Sequence, residues 1–352
     1  MVEYNTAIVL EAEPRRSANA EVADIDGDGS NEILLAIGRH WPGPNLLFRG
    51  DASGGFTTVD TLSNPQDRTY SLSVADMDGD GGLDMVVSND RPDPNYVLLN
   101  DGTGQFTERV VFGDPSWPTR NSTVADLNLD GKPDVVVANR DTTSTGNNFV
   151  CLNNSDVMLA LSCTSISSGP ATTISVADIN GDGNPDLVVP YRDVGQSRIY
   201  FGDGTGSFSG TVDFGPADAS FRSAIALDLN TDNYLDLVAI DDRKNLTLAF
   251  LQTSDLQFEA GRQIDRGANR PYALDQADLN GDGRQDLLVG YRNAPSTAFF
   301  NLGDSLQNVS FGDSSGTTYG FGVGDIDNDG IVDIVSARSD ASDVLFLGSH
   351  SN

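Results

Sequence analysis

Apolar residues in this chain alternate with polar ones over short runs and do not recur at the three-to-four spacing of a helix face. In one stretch Tyr70-Ser71-Leu72-Ser73-Val74-Ala75 alternates, Asp84-Met85-Val86-Val87-Ser88 is apolar, and Tyr96-Val97-Leu98-Leu99 follows a proline-rich turn. Asp101-Gly102-Thr103-Gly104 then signals a hairpin into a strand ending at Phe112. That predicts four short strands joined by turns. The order returns at Asp134-Val135-Val136-Val137, Asp186-Leu187-Val188-Val189 and Asp286-Leu287-Leu288-Val289.

A nine-residue loop, Asp-x-[Asp/Asn]-x-Asp-Gly-x-x-[Asp/Glu], separates the first and second strand of each repeat. It opens at Asp24, Asp76, Asp126, Asp178, Asp228, Asp278 and Asp325, at intervals of 52, 50, 52, 50, 50 and 47 residues. Four strands at a period near 50 predict an all-β, seven-bladed β-propeller of four-stranded antiparallel blades, one domain over residues 1–352. A β-helix would need loops about nine residues apart. Small residues precede most loops (Ala23, Ala75, Ala125, Ala177, Ala277 and Gly324), which suits a crowded first strand. The seventh repeat lacks a fourth strand, and an unassigned strand, Tyr4–Leu10, precedes the first. Pairing the two would close the last blade and remove two edges.

With the loops, the period and the Gly-Asp-Gly-Thr-Gly-Ser-Phe turn at 202–208, the chain resembles the FG-GAP/VCBS-repeat propellers. That family includes integrin α-subunit heads, fungal propeller lectins and bacterial surface proteins. The resemblance implies up to seven structural Ca²⁺ ions, held by side chains at loop positions 1, 3, 5 and 9 and a backbone carbonyl at 7. The implied ligands are Asp24, Asp26, Asp28, Ser30 and Glu32 in loop one, and Asp76, Asp78, Asp80, Gly82 and Asp84 in loop two. Loop three offers Asp126, Asn128, Asp130, Lys132 and Asp134, and loop four Asp178, Asn180, Asp182, Asn184 and Asp186. Loop five offers Asp228, Asn230, Asp232, Tyr234 and Asp236, and loop six Asp278, Asn280, Asp282, Arg284 and Asp286. Loop seven offers Asp325, Asp327, Asp329, Ile331 and Asp333. Hard oxygen donors and only two His disfavour a transition metal. Glu32 is one methylene longer than Asp, and Asn233 replaces the Gly of loop five; Asn tolerates the left-handed backbone.

The loops account for most of the acidity. They hold 24 of the 52 acidic residues, which leaves 28 against 21 basic ones in a chain of net charge −31. Seven divalent cations would bring that charge to −17. No basic stripe exists to neutralise phosphates, so nucleic acid is excluded as a partner. No apolar run is long enough for a transmembrane helix. Weak calcium sites fill only outside the cytosol, so a secreted or cell-surface protein is expected. Met1-Val2-Glu3 is no secretory signal, and a leader is expected to have been removed. Cys151 and Cys163 lie on neighbouring predicted strands, and their spacing permits a cross-strand bridge. Asn121, Asn153, Asn245 and Asn308 open glycosylation sequons.

One Arg follows the second strand of every repeat: Arg39, Arg91, Arg140, Arg192, Arg243, Arg292 and Arg338. Arg16, Arg68, Arg120, Arg222 and Arg270 precede first strands. Both connections fall at the strand ends opposite the acidic loops. Two readings stay open. The arginines could pair with neighbouring acids, as in Asp90-Arg91, Arg140-Asp141, Arg192-Asp193 and Asp242-Arg243, and tie repeats together. Alternatively, with Trp41, Trp117, Tyr191, Tyr272, Tyr291 and Tyr319 nearby, they could recognise an acidic glycan. No nucleophile elbow or zinc-protease motif is present, and His40 is the one catalytic candidate, as a base toward an acidic polysaccharide. The expected role is a non-catalytic carbohydrate-binding module. The alternatives are an adhesion propeller for an extracellular protein ligand, and a polysaccharide lyase or glycoside hydrolase.

Overall fold

The computed structural model describes all residues except 1, 52–54, 63, 142–146, 155–157, 194, 254–255, 266–269 and 352. Every regular element among the described residues is a strand. The chain divides into two compact units.

The first unit comprises residues 1–72, 102–105 and 269–352. Repeat one contributes strands Arg15–Ala23, Glu32–Ile37, Asn45–Gly50 and Phe56–Leu62. Repeat six contributes Arg270–Ala277, Asp286–Arg292, Ser296–Asn301 and Leu306–Phe311. Thr317–Gly324, Asp333–Ala341 and Val344–His350 belong to repeat seven. The N-terminal strand Val2–Val9 pairs antiparallel with Val344–His350, setting Val9 opposite Val344 and Ala7 opposite Phe346. The last repeat thus gains its fourth strand from the start of the chain. Bridges at Arg292–Thr317 and at Arg15–Ala341 merge these three groups into one twelve-stranded sheet.

Residues 73–101 and 106–268 form the second unit. It carries separate four-stranded sheets. Repeat two has Thr69–Ala75, which begins in the first unit, then Asp84–Asn89, Asn95–Asn100 and Phe106–Phe112. Repeat three has Thr119–Ala125, Asp134–Asn139, Asn147–Asn153 and Leu161–Ser168. Repeat four has Ser175–Ala177, Asp186–Val189, Arg198–Gly202 and Phe208–Asp213, and repeat five Phe221–Leu227, Asp236–Asp241, Leu246–Phe250 and Arg262–Gln263.

Burial explains the sequence pattern. Second strands such as Ile33-Leu34-Leu35-Ala36 and Met85-Val86-Val87 are buried on both faces, so they read as continuous apolar runs instead of alternating. Fourth strands are outermost, and Phe106–Phe112 exposes most of its polar positions. First strands need small residues where repeats meet. A Cβ on Gly322 would lie 3.1 Å from the Ala20 carbonyl carbon, and one on Gly324 would strike the Val22 side chain at 2.5 Å. Cys151 and Cys163 face each other across the third and fourth strands of repeat three and are disulfide-bonded.

Candidate metal centres

Each acidic loop is wound around its own carboxylates. The first Asp accepts from the backbone N–H of the sixth residue in all seven loops, as in Gly29 to Asp24 Oδ2 at 3.0 Å and Asn233 to Asp228 Oδ2 at 3.0 Å. The fifth accepts from the N–H of the seventh in every loop, as in Gly82 to Asp80 Oδ1 at 2.8 Å. The fourth and sixth residues both take left-handed backbone angles, and here the sequence pattern was incomplete. Asn233 at φ 69° occupies the sixth position as its chemistry allows, but Leu129 and Thr231 hold the fourth at φ 58° and 59°.

The ninth residue does more than face the loop. Its side chain opens the second strand in full burial, and both oxygens are engaged. Asp84 Oδ2 accepts the Met77 N–H at 2.8 Å, and Oδ1 accepts the Asn100 N–H, from the third strand, at 2.8 Å. The same double acceptance recurs at Glu32, Asp134, Asp186, Asp236, Asp286 and Asp333. This carboxylate clasps loop, second strand and third strand together. Burial pushes the carboxyls of Asp84, Asp236, Asp286 and Asp333 up to about 6.

Carboxylate oxygens converge within 4.8 Å in three loops: Asp24, Asp26 and Glu32; Asp76, Asp78 and Asp84; Asp325, Asp327 and Asp333. In these, hard oxygens with unused lone pairs share one small space, a donor set that fits Ca²⁺ or Mg²⁺. Among the described residues, loops two and seven carry no ion pair to Lys or Arg. Loop one differs, since the Arg49 guanidinium reaches Asp26 at 3.2 Å and also holds Asp60. In loops three, four and five Asn replaces Asp at the third position and donates to the fifth-position carboxylate, as in Asn180 to Asp182 at 3.0 Å. In loop six Arg284 ion-pairs with Asp282 at 2.5 Å. The seven loops are therefore alike in backbone and unlike in charge.

At the opposite strand ends several arginines reach forward one repeat. Arg91 pairs with Asp141 at 3.4 Å, Arg140 with Asp193 at 2.7 Å and Arg192 with Asp242 at 2.7 Å. The expected partners were the adjacent acids; the partners found are acids of the following repeat, and the spacing near 50 was the signal for them. Arg120 holds Asp90 at 2.8 Å, Arg338 holds Asp313 at 2.9 Å, and Arg243 donates to the carbonyls of Asp193 and Asp218. Arg292 is exposed and carries no such contact among the described residues.

The aromatic candidates separate. Tyr191 and Tyr291 are 4% and 3% exposed, with their rings packed inside the sheets, which removes them as platforms for a ligand. Trp117 stacks on Phe149 at 4.0 Å. Trp41 stays 44% exposed, with Arg16 4.1 Å over its ring and His40 edge-on beside it. His40 Nε2 lies 2.7 Å from the Tyr70 hydroxyl. Arg39 sits 4.1 Å over Tyr319. One sequon is also ruled out: Asn153 is 2% exposed and its amide donates to the Met77 carbonyl, so it presents no acceptor for a glycan.

The loops and sheets define a β-propeller-type repeat protein. The FG-GAP-like repeat model matches residues 24–87, 76–137, 126–189, 178–239, 228–289 and 278–336, and the chain belongs to that family. Similar solved structures include a BBS1N structure in complex with ARL6DN, soaked with lead: TM-score 0.68, 13% identity, 100% of this chain and 98% of that one. The mercury-soaked form of that complex gives a TM-score of 0.65 at 13% identity, over 98% and 96% of the two chains. An Agrocybe aegerita lectin that recognises non-reducing terminal N-acetylglucosamine gives 0.60 at 17% identity, over 93% and 87%. No curated protein matches the chain.

Proposed function

We propose that this protein is a calcium-stabilised, seven-bladed propeller acting outside the cytosol as a non-catalytic carbohydrate-binding module. The convergence of three carboxylates in loops one, two and seven, with no ion pair to Lys or Arg at loops two and seven among the described residues, supports the metal assignment. The residues to hold Ca²⁺ are the side chains at positions 1, 3, 5 and 9 and the carbonyl at 7 of each loop. The ion would neutralise buried charge and pin the turn; it has no chemical step to perform. Ring closure is supported by the pairing of Val2–Val9 with Val344–His350. Likeness to a fungal lectin and the exposed Trp41 among arginines favour a sugar as ligand.

A glycan array probed in millimolar calcium tests the reading. Selective capture of one glycan group is the expected result, and a blank array overturns it. A second reading, adhesion to a protein ligand, rests on the likeness to BBS1N, seen in complex with ARL6DN. Capture of an extracellular protein together with a blank array would favour it.

A further inference from the structure

Among the described residues, repeat one, like repeats five and six, lacks the forward ion pair of repeats two to four. Arg39 is the counterpart of Arg91, Arg140 and Arg192, yet no carboxylate among the described residues pairs with it. It is 8% exposed, and its Nε has no hydrogen-bond partner. Asp90, the acid beside Arg91, is taken by Arg120. Arg16 forms no ion pair among the described residues and lies over Trp41, while Arg15 has a buried Nε without a hydrogen-bond partner, with Glu11 and Asp340 the nearby acids. In a chain of net charge −31, two guanidiniums with no ion pair among the described residues lie over one exposed indole, and that of Arg15 lines the cavity beside it.

Beside them opens a cavity of about 360 Å³, lined in part by Pro14, Arg15, Arg16, Trp41, Pro42 and Asp340. That volume falls within the range of small-molecule sites, about 300–1,000 Å³. An arginine stacked on a ring keeps its in-plane N–H groups free, so the Arg16 fork remains available to a carboxylate. The prolines offer an apolar wall to the C–H face of a pyranose, and Asp340 an acceptor for its hydroxyls.

We propose that this cavity binds the carboxylate-bearing terminal sugar of an acidic glycan, with Arg15 and Arg16 on the carboxylate and Trp41 as the wall that orients it. The inference rests on the carbohydrate reading and adds its charge, its residues and its number. The cavity beside Trp41 is built largely from repeat one, which sets one such site per chain.

Calorimetric titration in calcium buffer tests it, with a glucuronate-terminated oligosaccharide and its glucose-terminated equivalent as probes. We expect one uronate bound per chain and the neutral sugar weaker by about tenfold or more, the loss of one charge-assisted contact. Arg16→Gln is expected to lose a similar factor at an unchanged melting temperature. Trp41→Phe, a gentler change, should weaken the uronate, and Arg198→Gln, in a surface pair with Asp213, should not. Equal binding of the two sugars, several sites per chain, or full affinity in folded Arg16→Gln overturns the site and leaves the carbohydrate reading standing. Binding of neither sugar alongside a positive glycan array overturns the site alone, and alongside a blank array it overturns both.

Discussion

Thr231 holds a left-handed backbone that a β-branched side chain rarely adopts, while its counterparts Gly27, Gly79, Gly181 and Gly281 do so freely. The strain of such a residue is on the order of 1–3 kcal/mol, and glycine returns about 0.5–1 kcal/mol of it as unfolded-chain entropy. Thr231→Gly is therefore expected to raise stability by about 0.5–2 kcal/mol in urea unfolding, and a loss would show that the Thr231 hydroxyl bond to the Asn230 carbonyl outweighs the strain. The sequence made the sixth loop position legible because Gly or Asn fills it every time. The fourth was not legible, since Gly, Leu, Thr and Asn all occur there and share only an angle. Likewise Asp84 read as a ligand, while its bond to the Asn100 N–H depends on the register of the third strand, which the alternation that predicts that strand does not fix.

That double bond makes the ninth-position carboxylate a joint between elements. In Asp84→Asn one oxygen becomes an amide that meets a backbone donor, which costs about 2–3 kcal/mol in a fully buried site. The loss should persist in EGTA, where any contribution through calcium is silent. Disappearance of the loss in EGTA would reduce the residue to a ligand. The first strands hold a second joint of charge. Burial, with Asp275 nearby, pushes the Glu21 carboxyl up to about 8, and burial pushes Asp275 up to about 6. Both folded values lie above the unfolded ones, so the folded chain binds more protons between them. Their stabilising contribution is full below about pH 4 and is lost as pH rises through 6 and then 8. Glu21→Gln should flatten the fall in melting temperature between pH 5 and 8. An unchanged slope would remove Glu21 as its source. The strand order around these residues was readable from alternation and turn signals, whereas the Arg-to-next-repeat ion pairs left only the repeat spacing near 50 as a signal, since an acid adjacent in sequence stood as the nearer candidate partner.

Across the whole molecule, the uniform loop backbone and its uneven charge make different demands on calcium. A site of ~0.1 mM affinity in ~1 mM free ion contributes roughly 1.4 kcal/mol, and seven would sum to about 10 kcal/mol, the scale of an entire folding free energy. Removal by EGTA should lower the melting temperature by roughly 10–20 °C. Refilling with calcium should restore it. The loops do not share this equally. Asp78 forms no ion pair to Lys or Arg among the described residues, whereas Asp26 already leans on Arg49. Replacing the first with Asn removes a charge that a bound ion would balance; replacing the second removes a charge that Arg49, still held by Asp60, already balances in part. Asp78→Asn should therefore take away more of the calcium-dependent part of the melting temperature than Asp26→Asn. Equal losses would mean that the arginine does not substitute for the ion, and a melting temperature indifferent to EGTA would mean that the acidic loops hold their shape by backbone hydrogen bonds alone.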